Sequence, residues 1–224
     1  MSKKIIIAID GPSGSGKSTI AKYLADELKA TYIDTGAMYR AITYEAMQRG
    51  IVDNTEKVIA MLDDINLRIN YENGITRVFV NENEVTDFIR SAEVNSKVSE
   101  ISKIPEVRKK LIDIQRNLAK SQTVVAEGRD TTTVVFPNAD FKIYLTADLD
   151  VRAERRLKEY KEKGVVITYE EVRDNLAKRD KIDSSREVSP LRKAEDAFEM
   201  DSTSLTIDEE LNLLLDKIKD FIKH

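Results

Sequence analysis

The sequence predicts an α/β fold in which a five-stranded parallel sheet carries helices on both of its faces. Two observations support this prediction. Five short, largely apolar segments each precede a stretch with helical spacing, and the first of them, Ile5 to Ile9, is an unbroken apolar run. Such a run is typical of a strand that is buried on both faces, as in a parallel sheet. The chain of 224 residues is long enough for one domain with a sizeable core.

A glycine-rich turn follows the first strand and has the pattern Gly-x-x-x-x-Gly-Lys-Ser, from Gly11 to Ser18. A helix predicted from Thr19 to Lys29 comes next, so the pattern lies between a strand and a helix, which is the context that it requires. Its backbone N–H groups and the positive end of the helix favour an oligophosphate. The turn therefore predicts the three-layer fold of a P-loop NTPase. The residues expected to bind the nucleotide are Gly11, Pro12, Ser13, Gly14, Ser15, Gly16, Lys17, Ser18 and Thr19.

Two of these residues have separate expected roles, because Lys17 should bridge the β- and γ-phosphates and Ser18 should hold Mg²⁺. The strings Asn-Lys-x-Asp and Asp-x-x-Gly of Ras-class GTPases do not occur in the sequence. ATP is therefore the expected phosphoryl donor, by elimination.

The composition excludes several kinds of chemistry. The chain has no Cys, which excludes disulfides, thiol catalysis and Cys-ligated zinc, and its one His is the last residue, His224. The 36 basic and 40 acidic residues give a net charge of −4, which does not favour binding to nucleic acid. No apolar stretch approaches the length of a membrane span, and Met1 to Lys4 leads directly into a strand. We expect a cytoplasmic protein, a monomer by default, without nucleic-acid or membrane partners.

The second strand, Thr31 to Asp34, ends at polar residues, and a helix from Ala37 to about Arg49 follows and stops at Gly50. Ligands of open α/β sheets bind at the carboxyl ends of the strands. Arg40, in the first turn of this helix, is therefore either a solvated charge or a clamp on the phosphate of an acceptor.

The region after a short helix from Thr55 to Leu62 interrupts the α/β pattern. Leu67 to Tyr71 and Thr76 to Val80 alternate apolar and polar residues on either side of a turn, and a second turn leads to Glu84-Val85. This is typical of a small antiparallel meander. It is either an inserted cap over one end of the site or an ordinary edge hairpin.

Two helices, Ser91 to Ile101 and Pro105 to Ala119, lead into a strand that starts near Thr123. The strand ends at Glu127, a Walker-B-like pattern whose carboxylate could orient the water shell of Mg²⁺. The neighbouring residues Arg129-Asp130 suit a structural ion pair, and the two interpretations do not exclude each other.

Arginines concentrate in the region that follows the strand from Phe141 to Leu145. A helix from Asp148 to Lys163 places Arg152, Arg155 and Arg156 on one face. Arginine suits two-point contact with phosphate, although a solvated charged face has the same spacing.

A second helix in this region starts at the capping box formed by Thr168 and Glu171. Three charged residues near its end share one face if the helix persists: Arg179, Asp183 and Arg186. A last strand, Phe198 to Asp201, and a last amphipathic helix, Ile207 to Ile222, follow.

Six segments together resemble the bacterial cytidylate kinases, which belong to the P-loop nucleoside monophosphate kinases. They are Asp10 to Ser18, Asp34 to Arg40, Gly128 to Asp130, Thr133 to Pro137, Arg179 to Arg186 and Ser189 to Ala197. The resemblance spans the whole chain. It implies one kinase domain over 1–224, with a core at about 1–62, 91–150 and 187–224, a nucleotide-binding β insert at about 63–90, and lid and acceptor-binding helices at about 151–186.

The resemblance also implies an activity, namely phosphoryl transfer from MgATP to CMP or dCMP, which gives CDP or dCDP in pyrimidine nucleotide metabolism. The implied CMP-binding residues are Thr35, Arg40, Ser99, Arg108, Arg129, Asp130, Arg179, Asp183 and Arg186. Of these, Arg40, Arg129 and Arg179 are expected on the phosphate, Ser99 and Arg108 on the cytosine edge, and Asp183 on the ribose. The implied catalytic residues are Lys17, Arg129, Arg179, Arg155 and Arg156, and Arg152 is expected to join the last two in a closing lid. The expected metal contacts are Ser18 and, through water, Glu127.

The sequence departs from the family pattern directly after Gly-Arg-Asp. The family usually continues with an apolar residue and a Gly, whereas this chain has Thr131-Thr132. Because Thr adopts positive φ less readily than Gly, we expect a rearranged turn after Asp130. Glu127 stands where many relatives have Asp, which moves the carboxylate by one methylene.

Two other functions remain open from the sequence. One is a nucleotide-dependent binding protein that uses the meander as a partner surface. A broken set of acceptor arginines would indicate it, and the set is intact. The other is a kinase with a different small acceptor, such as UMP or shikimate. The preference between CMP and dCMP is also open.

Overall fold

The computed structural model describes residues 4–72, 74–162 and 164–223. In chain order, the strands are β1 (Ile6–Asp10), β2 (Thr31–Asp34), β3 (Leu67–Glu72), β4 (Ile75–Val80), β5 (Asn83–Glu84), β6 (Val124–Gly128), β7 (Phe141–Thr146) and β8 (Phe198–Asp201). The α-helices are α1 (Lys17–Glu27), α2 (Thr35–Gln48), α3 (Thr55–Met61), α4 (Ala92–Ile101), α5 (Pro105–Ala119), α6 (Leu149–Glu162), α7 (Tyr169–Ser185) and α8 (Ile207–Lys223). The predicted turn residue Asn73 and the predicted helix end at Lys163 lie outside the described residues.

The main sheet has five parallel strands in the order β2-β6-β1-β7-β8. Its two faces are both covered, because successive residues of a strand point to opposite sides. Ile7 and Ile9 of β1 belong to a core formed with α1 and α8. Ala8, between them, belongs to a second core that includes Ala119 of α5. The predicted three-layer α/β fold is confirmed.

Two helices begin two residues earlier than the sequence predicted, and each has a local cause. The carboxylate of Asp34 accepts a hydrogen bond from the backbone N–H of Ala37 at 2.8 Å, which caps α2 at its start. Gly16 precedes α1 in a left-handed conformation with φ of 92°, so the helix follows the glycine turn without a spacer.

The segment after β6 differs from the prediction, since no α-helix follows this strand. Thr131–Val135 instead form a single π-helical turn. Asp10 accounts for it, because its carboxylate accepts hydrogen bonds from the backbone N–H groups of Thr131 at 2.8 Å and Thr132 at 2.7 Å. The hydroxyl of Thr132 donates a third bond at 2.6 Å. Thr132 is not among the described residues with positive φ, so this turn does not need the conformation that glycine allows.

The predicted meander is a separate antiparallel sheet in the order β3-β4-β5. Its inner face contributes Leu67, Val78 and Val80 to a core that also contains residues of α2, α3, α4 and α5. Alternate residues of β3 and β4 are buried and exposed, which is the pattern of a sheet with one solvated face. The meander is therefore packed onto the helices that follow β2.

The helices α6 and α7 pack against each other through a small core of Ala153, Val172 and Leu176. The predicted capping box at the start of α7 is confirmed, with the N–H of Glu171 bonded to the hydroxyl of Thr168 at 3.2 Å and the reciprocal bond at 2.9 Å. None of the helices in the described ranges is long and apolar enough to cross a membrane.

Candidate active site

A cavity of about 610 Å³ lies at the carboxyl ends of the central strands. The register of the sheet brings these ends together, since Asp10 pairs with Gly128 and Asp34 pairs with Glu127. All five residues expected to be catalytic line the cavity: Lys17, Arg129, Arg155, Arg156 and Arg179. All nine residues expected to bind CMP line it as well.

The glycine-rich turn forms one wall of this cavity, which Ser13, Gly14 and the residues from Gly16 to Thr19 line directly. Gly11, Pro12 and Ser15, also expected on the nucleotide, are not among the lining residues. Gly11 has a different role, because a Cβ at this position would overlap the carbonyl oxygen of Leu145. Only a glycine therefore lets the turn pass this close to β7.

Lys17 is buried at the base of the turn. Its Nζ donates hydrogen bonds to the carbonyl oxygen of Pro12 at 2.6 Å and to the hydroxyl of Ser15 at 3.3 Å. Burial, followed by the charge of Arg129, lowers the pKa of Lys17 to about 7. The positive charge of Lys17 is thus poorly balanced in the ligand-free protein. An anion bound at the turn would stabilise the charged form and raise the pKa of Lys17 again.

Ser18 and Glu127 form an oxygen-rich pair beside this lysine. The hydroxyl of Ser18 donates to Oε1 of Glu127, and the hydroxyl of Tyr32 donates to the same oxygen at 2.7 Å. Within the described ranges, no group of three or more acidic or His side chains could hold a metal. Mg²⁺ usually keeps several water molecules and needs only one or two protein oxygens beside substrate phosphates. The hydroxyl and carboxylate oxygens present therefore fit Mg²⁺ held together with a nucleotide.

The opposite wall of the cavity contains arginines that are paired with buried carboxylates. Arg129 Nε donates to Asp183 Oδ2 at 2.9 Å. Despite the opposing effect of burial, Asp183 raises the pKa of Arg129, and Arg129 likewise lowers the pKa of Asp183. Both side chains are therefore charged before any ligand binds.

Asp130 pairs with Arg108 and Arg186 rather than with its neighbour Arg129. Arg108 Nη2 contacts Oδ2 of Asp130, and Arg186 Nη2 lies 3.7 Å from Oδ1. The alternative of an Arg129–Asp130 ion pair is therefore wrong, since the two residues, which directly follow the end of β6 at Gly128, pair with different partners. Arg108 also donates to the carbonyl oxygen of Ser102 at 3.0 Å.

Arg179 is the exception among the acceptor arginines. Within the described residues, no ion pair or hydrogen bond joins Arg179 to another side chain, whereas Arg40, Arg108, Arg129 and Arg186 each pair with an aspartate. In the same part of the chain, the buried Nε of Arg179 has no hydrogen-bond partner. Burial, followed by the charge of Arg129, lowers the pKa of Arg179 to about 10. An unpaired buried guanidinium is costly, so this position favours an anion.

The arginines of α6 separate into two groups. Arg155 donates to the hydroxyl and carbonyl oxygens of Ser202 at 3.0 and 2.8 Å, and Arg156 donates to Glu159 at 2.7 Å. Arg152, expected to act with them, is not among the residues that line the cavity. It is buried and donates to Asp180 at 2.6 Å and to the carbonyl oxygen of Ser13 at 3.0 Å. Arg152 therefore joins the P-loop to α7.

Sequence reasoning missed one charged group, formed by Asp34 and Arg90. Asp34 Oδ2 accepts hydrogen bonds from Arg40 at 3.0 Å and from Arg90 at 2.8 Å, and all three residues line the cavity. Despite burial, these two arginines hold the pKa of Asp34 below its usual value. No local pattern distinguishes Arg90 from the other arginines near the meander, because its partner is 56 residues away.

Comparison with known proteins places the chain among relatives over its full length. The family described as cytidylate kinase matches residues 7–220. A cytidylate kinase from Exiguobacterium sp. is 48% identical over 98% of this chain and 100% of its own length. A cytidylate kinase from Bacillus subtilis is 45% identical over 98% of each chain.

Solved structures show the same fold at much lower identity. A Thermus thermophilus protein has a TM-score of 0.51 at 17% identity and covers 98% of each chain. A gluconokinase from Sinorhizobium meliloti has a TM-score of 0.51 at 14% identity, with 99% of this chain and 96% of its own covered. These structures support the fold alone.

Proposed function

The chain belongs to the cytidylate kinase family, and on this premise we propose that its cavity transfers the γ-phosphoryl group of ATP to the 5′-phosphate of CMP or dCMP. The observation that supports this proposal is the meeting of two kinds of phosphate site in one cavity. The P-loop with Lys17 forms one site. The arginines paired with Asp34 and Asp183 form the other.

On the donor side, the P-loop N–H groups and Lys17 bind the phosphates of ATP. Lys17 gives up its hydrogen bonds to the Pro12 carbonyl and the Ser15 hydroxyl and contacts the β- and γ-phosphates. The negative charge of the phosphates then balances the positive charge of the lysine. Ser18 and, through water, Glu127 would hold Mg²⁺, which would neutralise charge on the phosphates.

On the acceptor side, Arg40, Arg129 and Arg179 bind the phosphate of CMP. Arg179 gains most from this contact, because it has no carboxylate partner in the described part of the chain, whereas Arg40 pairs with Asp34 and Arg129 pairs with Asp183. Ser99 and Arg108 bind the edge of the cytosine, and Asp183 accepts hydrogen bonds from the ribose. Thr35, Asp130 and Arg186 complete this part of the wall.

The reaction needs little help from a general base. The acceptor is a phosphate whose second pKa is about 6, so it is largely ionised at neutral pH. The protein contributes positioning and positive charge around the transferred group. This agrees with a chain whose one imidazole is His224, at the terminus.

The lid and acceptor-binding helices at about 151–186 bring further arginines to the reaction. As the lid closes, Arg155 leaves Ser202, Arg156 leaves Glu159, and both arginines contact the transferred phosphoryl group. Closure excludes water, which would otherwise accept the phosphoryl group and hydrolyse ATP. The β insert at about 63–90 borders the acceptor side of the cavity, which Arg90 at its end lines.

A coupled assay of ADP release tests the proposal across CMP, dCMP, UMP, AMP, GMP and shikimate. We expect turnover with CMP and dCMP that exceeds the turnover with every other acceptor. If an intact preparation turns over neither cytidine nucleotide, the proposal is wrong. Turnover with shikimate or UMP instead would assign a different acceptor, and ATP binding without any turnover would favour a non-catalytic binding protein.

A further inference from the structure

Arg90 and Arg40 approach the cavity from different parts of the chain but share one carboxylate. A terminal nitrogen of each lies within 3.0 Å of Asp34 Oδ2, so the two nitrogens can be no farther apart than twice that distance. Asp34 itself is buried, with 3% of its surface exposed. One buried carboxylate therefore holds two guanidinium groups side by side at the cavity wall.

The backbone around Arg90 is fixed on both sides. The preceding residue, Ile89, is buried in the core, and the ring of Phe88 stacks on Tyr44 at 5.6 Å. The carbonyl oxygen of Arg90 accepts a hydrogen bond from Asn95 Nδ2 at 3.0 Å. Arg90 is therefore held in place before any ligand binds, which lowers the entropic cost of using its side chain.

Most of the hydrogen-bonding capacity of Arg90 is unused. A guanidinium has five N–H donors, and among the described residues Asp34 is its one side-chain hydrogen-bond partner. Its side chain is 47% exposed, compared with 11% for Arg40, and it lines the cavity. The remaining donors thus face a space that a ligand can enter.

Two other arginines of the meander provide a contrast. Arg68 and Arg77 pair with the exposed carboxylates of Glu82 and Glu84, and neither arginine lines the cavity. Arg90 differs from both because its partner is buried and belongs to the start of α2. An ordinary surface ion pair does not explain this position.

From this geometry we propose that Arg90 binds the 5′-phosphate of the acceptor together with Arg40, and that Asp34 positions both arginines for this contact. The proposal rests on the proposed function. A phosphate has several oxygens and takes charge-assisted hydrogen bonds from adjacent guanidinium groups. Both arginines keep their bond to Asp34 and use other donors, so the segment that ends the β insert contributes directly to the acceptor site.

Asp34 has a second role that the experiment must separate from the first. Its Oδ1 caps α2 through Ala37, so removal of the side chain would also weaken the helix. Asparagine caps helices as well as aspartate does but lacks the negative charge that holds the arginines. Asp34→Asn therefore tests positioning, whereas Asp34→Ala would also remove the cap.

The test compares the binding of CMP and of cytidine, which lacks the phosphate, by titration calorimetry. Arg90→Ala should weaken CMP binding by about tenfold or more, as expected for loss of hydrogen bonds to a charged group, and should change cytidine binding by less than twofold. Asp34→Asn should act in the same direction, and Arg90→Lys should recover part of the loss. The matched control Arg77→Ala, at an exposed arginine that does not line the cavity, should resemble the wild type.

The kinetic readout is the KM for CMP, which should rise in Arg90→Ala while the KM for ATP stays within twofold. An unchanged affinity for CMP, or an equal loss for CMP and cytidine, would overturn the proposal. Thermal unfolding shows whether a variant is folded, and Arg90→Lys provides the second variant if Arg90→Ala is not. Failure of the proposed function is distinguishable, because then the wild type itself would not convert CMP to CDP.

Discussion

The proposed donor and acceptor walls of the cavity are built in opposite ways. The donor wall comes largely from one continuous segment, Ser13 to Thr19, of which all residues but Ser15 line the cavity. Its backbone N–H groups are expected on the phosphates. The acceptor wall takes side chains from α2, from α4 and the turn before it, from α5, from the residues after β6, and from the end of α7 and the residue that follows it. The positive charge of the donor wall includes one buried lysine with a lowered pKa, whereas most acceptor arginines are already paired with carboxylates.

This difference follows from the energetics of burial. A loop of backbone N–H groups carries no net charge and is stable when empty, so the donor wall needs few charged partners. Several buried guanidinium groups would be very costly alone. The aspartates Asp34, Asp130 and Asp183 allow these arginines to be present before CMP binds, and they also fix the directions of the guanidinium groups.

The largest effect that separates the two walls should come from Lys17→Ala. Loss of the lysine should lower kcat by about a thousandfold, because removal of one well-placed group that stabilises developing charge typically costs 100- to 1,000-fold. Binding of CMP, measured by calorimetry, should remain. If CMP binding is lost together with the rate, the two walls are not independent.

A second prediction concerns the free energy of unfolding, which should fall more when the acceptor wall is changed than when the donor wall is changed. Asp130→Asn leaves Arg108, which is 2% exposed, beside a neutral amide, and such a change in a buried ion pair costs about 3–5 kcal/mol. Glu127→Gln should cost about 1 kcal/mol, because its side-chain partners are the neutral hydroxyls of Ser18 and Tyr32. Urea unfolding of both variants gives the two values, and equal losses would contradict the assigned difference between the walls.

A smaller effect concerns protons taken up on binding. The pKa of Lys17 is about 7 in the free protein, and bound phosphates should raise it. At pH 8, ATP binding should therefore take up close to one proton, whereas at pH 6 Lys17 is already charged and contributes no uptake. Calorimetry in buffers of different ionisation enthalpy measures this number.

The control for this measurement is Lys17→Arg, in which a side chain that stays charged should abolish the uptake. CMP binding at pH 8 should show no comparable uptake, because the arginines that bind it are charged throughout. An ATP titration of the wild type at pH 8 that is independent of the buffer would contradict the interpretation of Lys17.

The glycine-rich turn could be predicted from sequence because its residues are neighbours in the chain, although Gly11, Pro12 and Ser15 do not line the cavity. The strand, glycine turn and helix around Lys17 form one local pattern. The acceptor residues came from a resemblance to a family, and spacing alone did not identify Arg108 or Arg129 as ligands. Arg90 was not predicted, because its partner Asp34 is distant in the sequence and lies close to it only in the folded protein.

Two errors have the same origin. Helical spacing placed Arg152 with Arg155 and Arg156, but the fold brings Asp180 next to Arg152 and removes it from the cavity lining. The regular alternation of strands and helices predicted a helix after β6, where Asp10, more than a hundred residues earlier, holds a single turn instead. Local patterns do not contain such long-range hydrogen bonds.

The most direct test of the two-wall arrangement is a crystal structure with CMP, Mg²⁺ and a non-hydrolysable ATP analogue. We predict that the CMP phosphate lies within hydrogen-bond distance of Arg40, Arg129 and Arg179, with the cytosine beside Ser99 and Arg108. The γ-phosphate of the analogue should contact Lys17. A CMP phosphate bound at the P-loop, or a cytosine away from Arg108, would contradict the account.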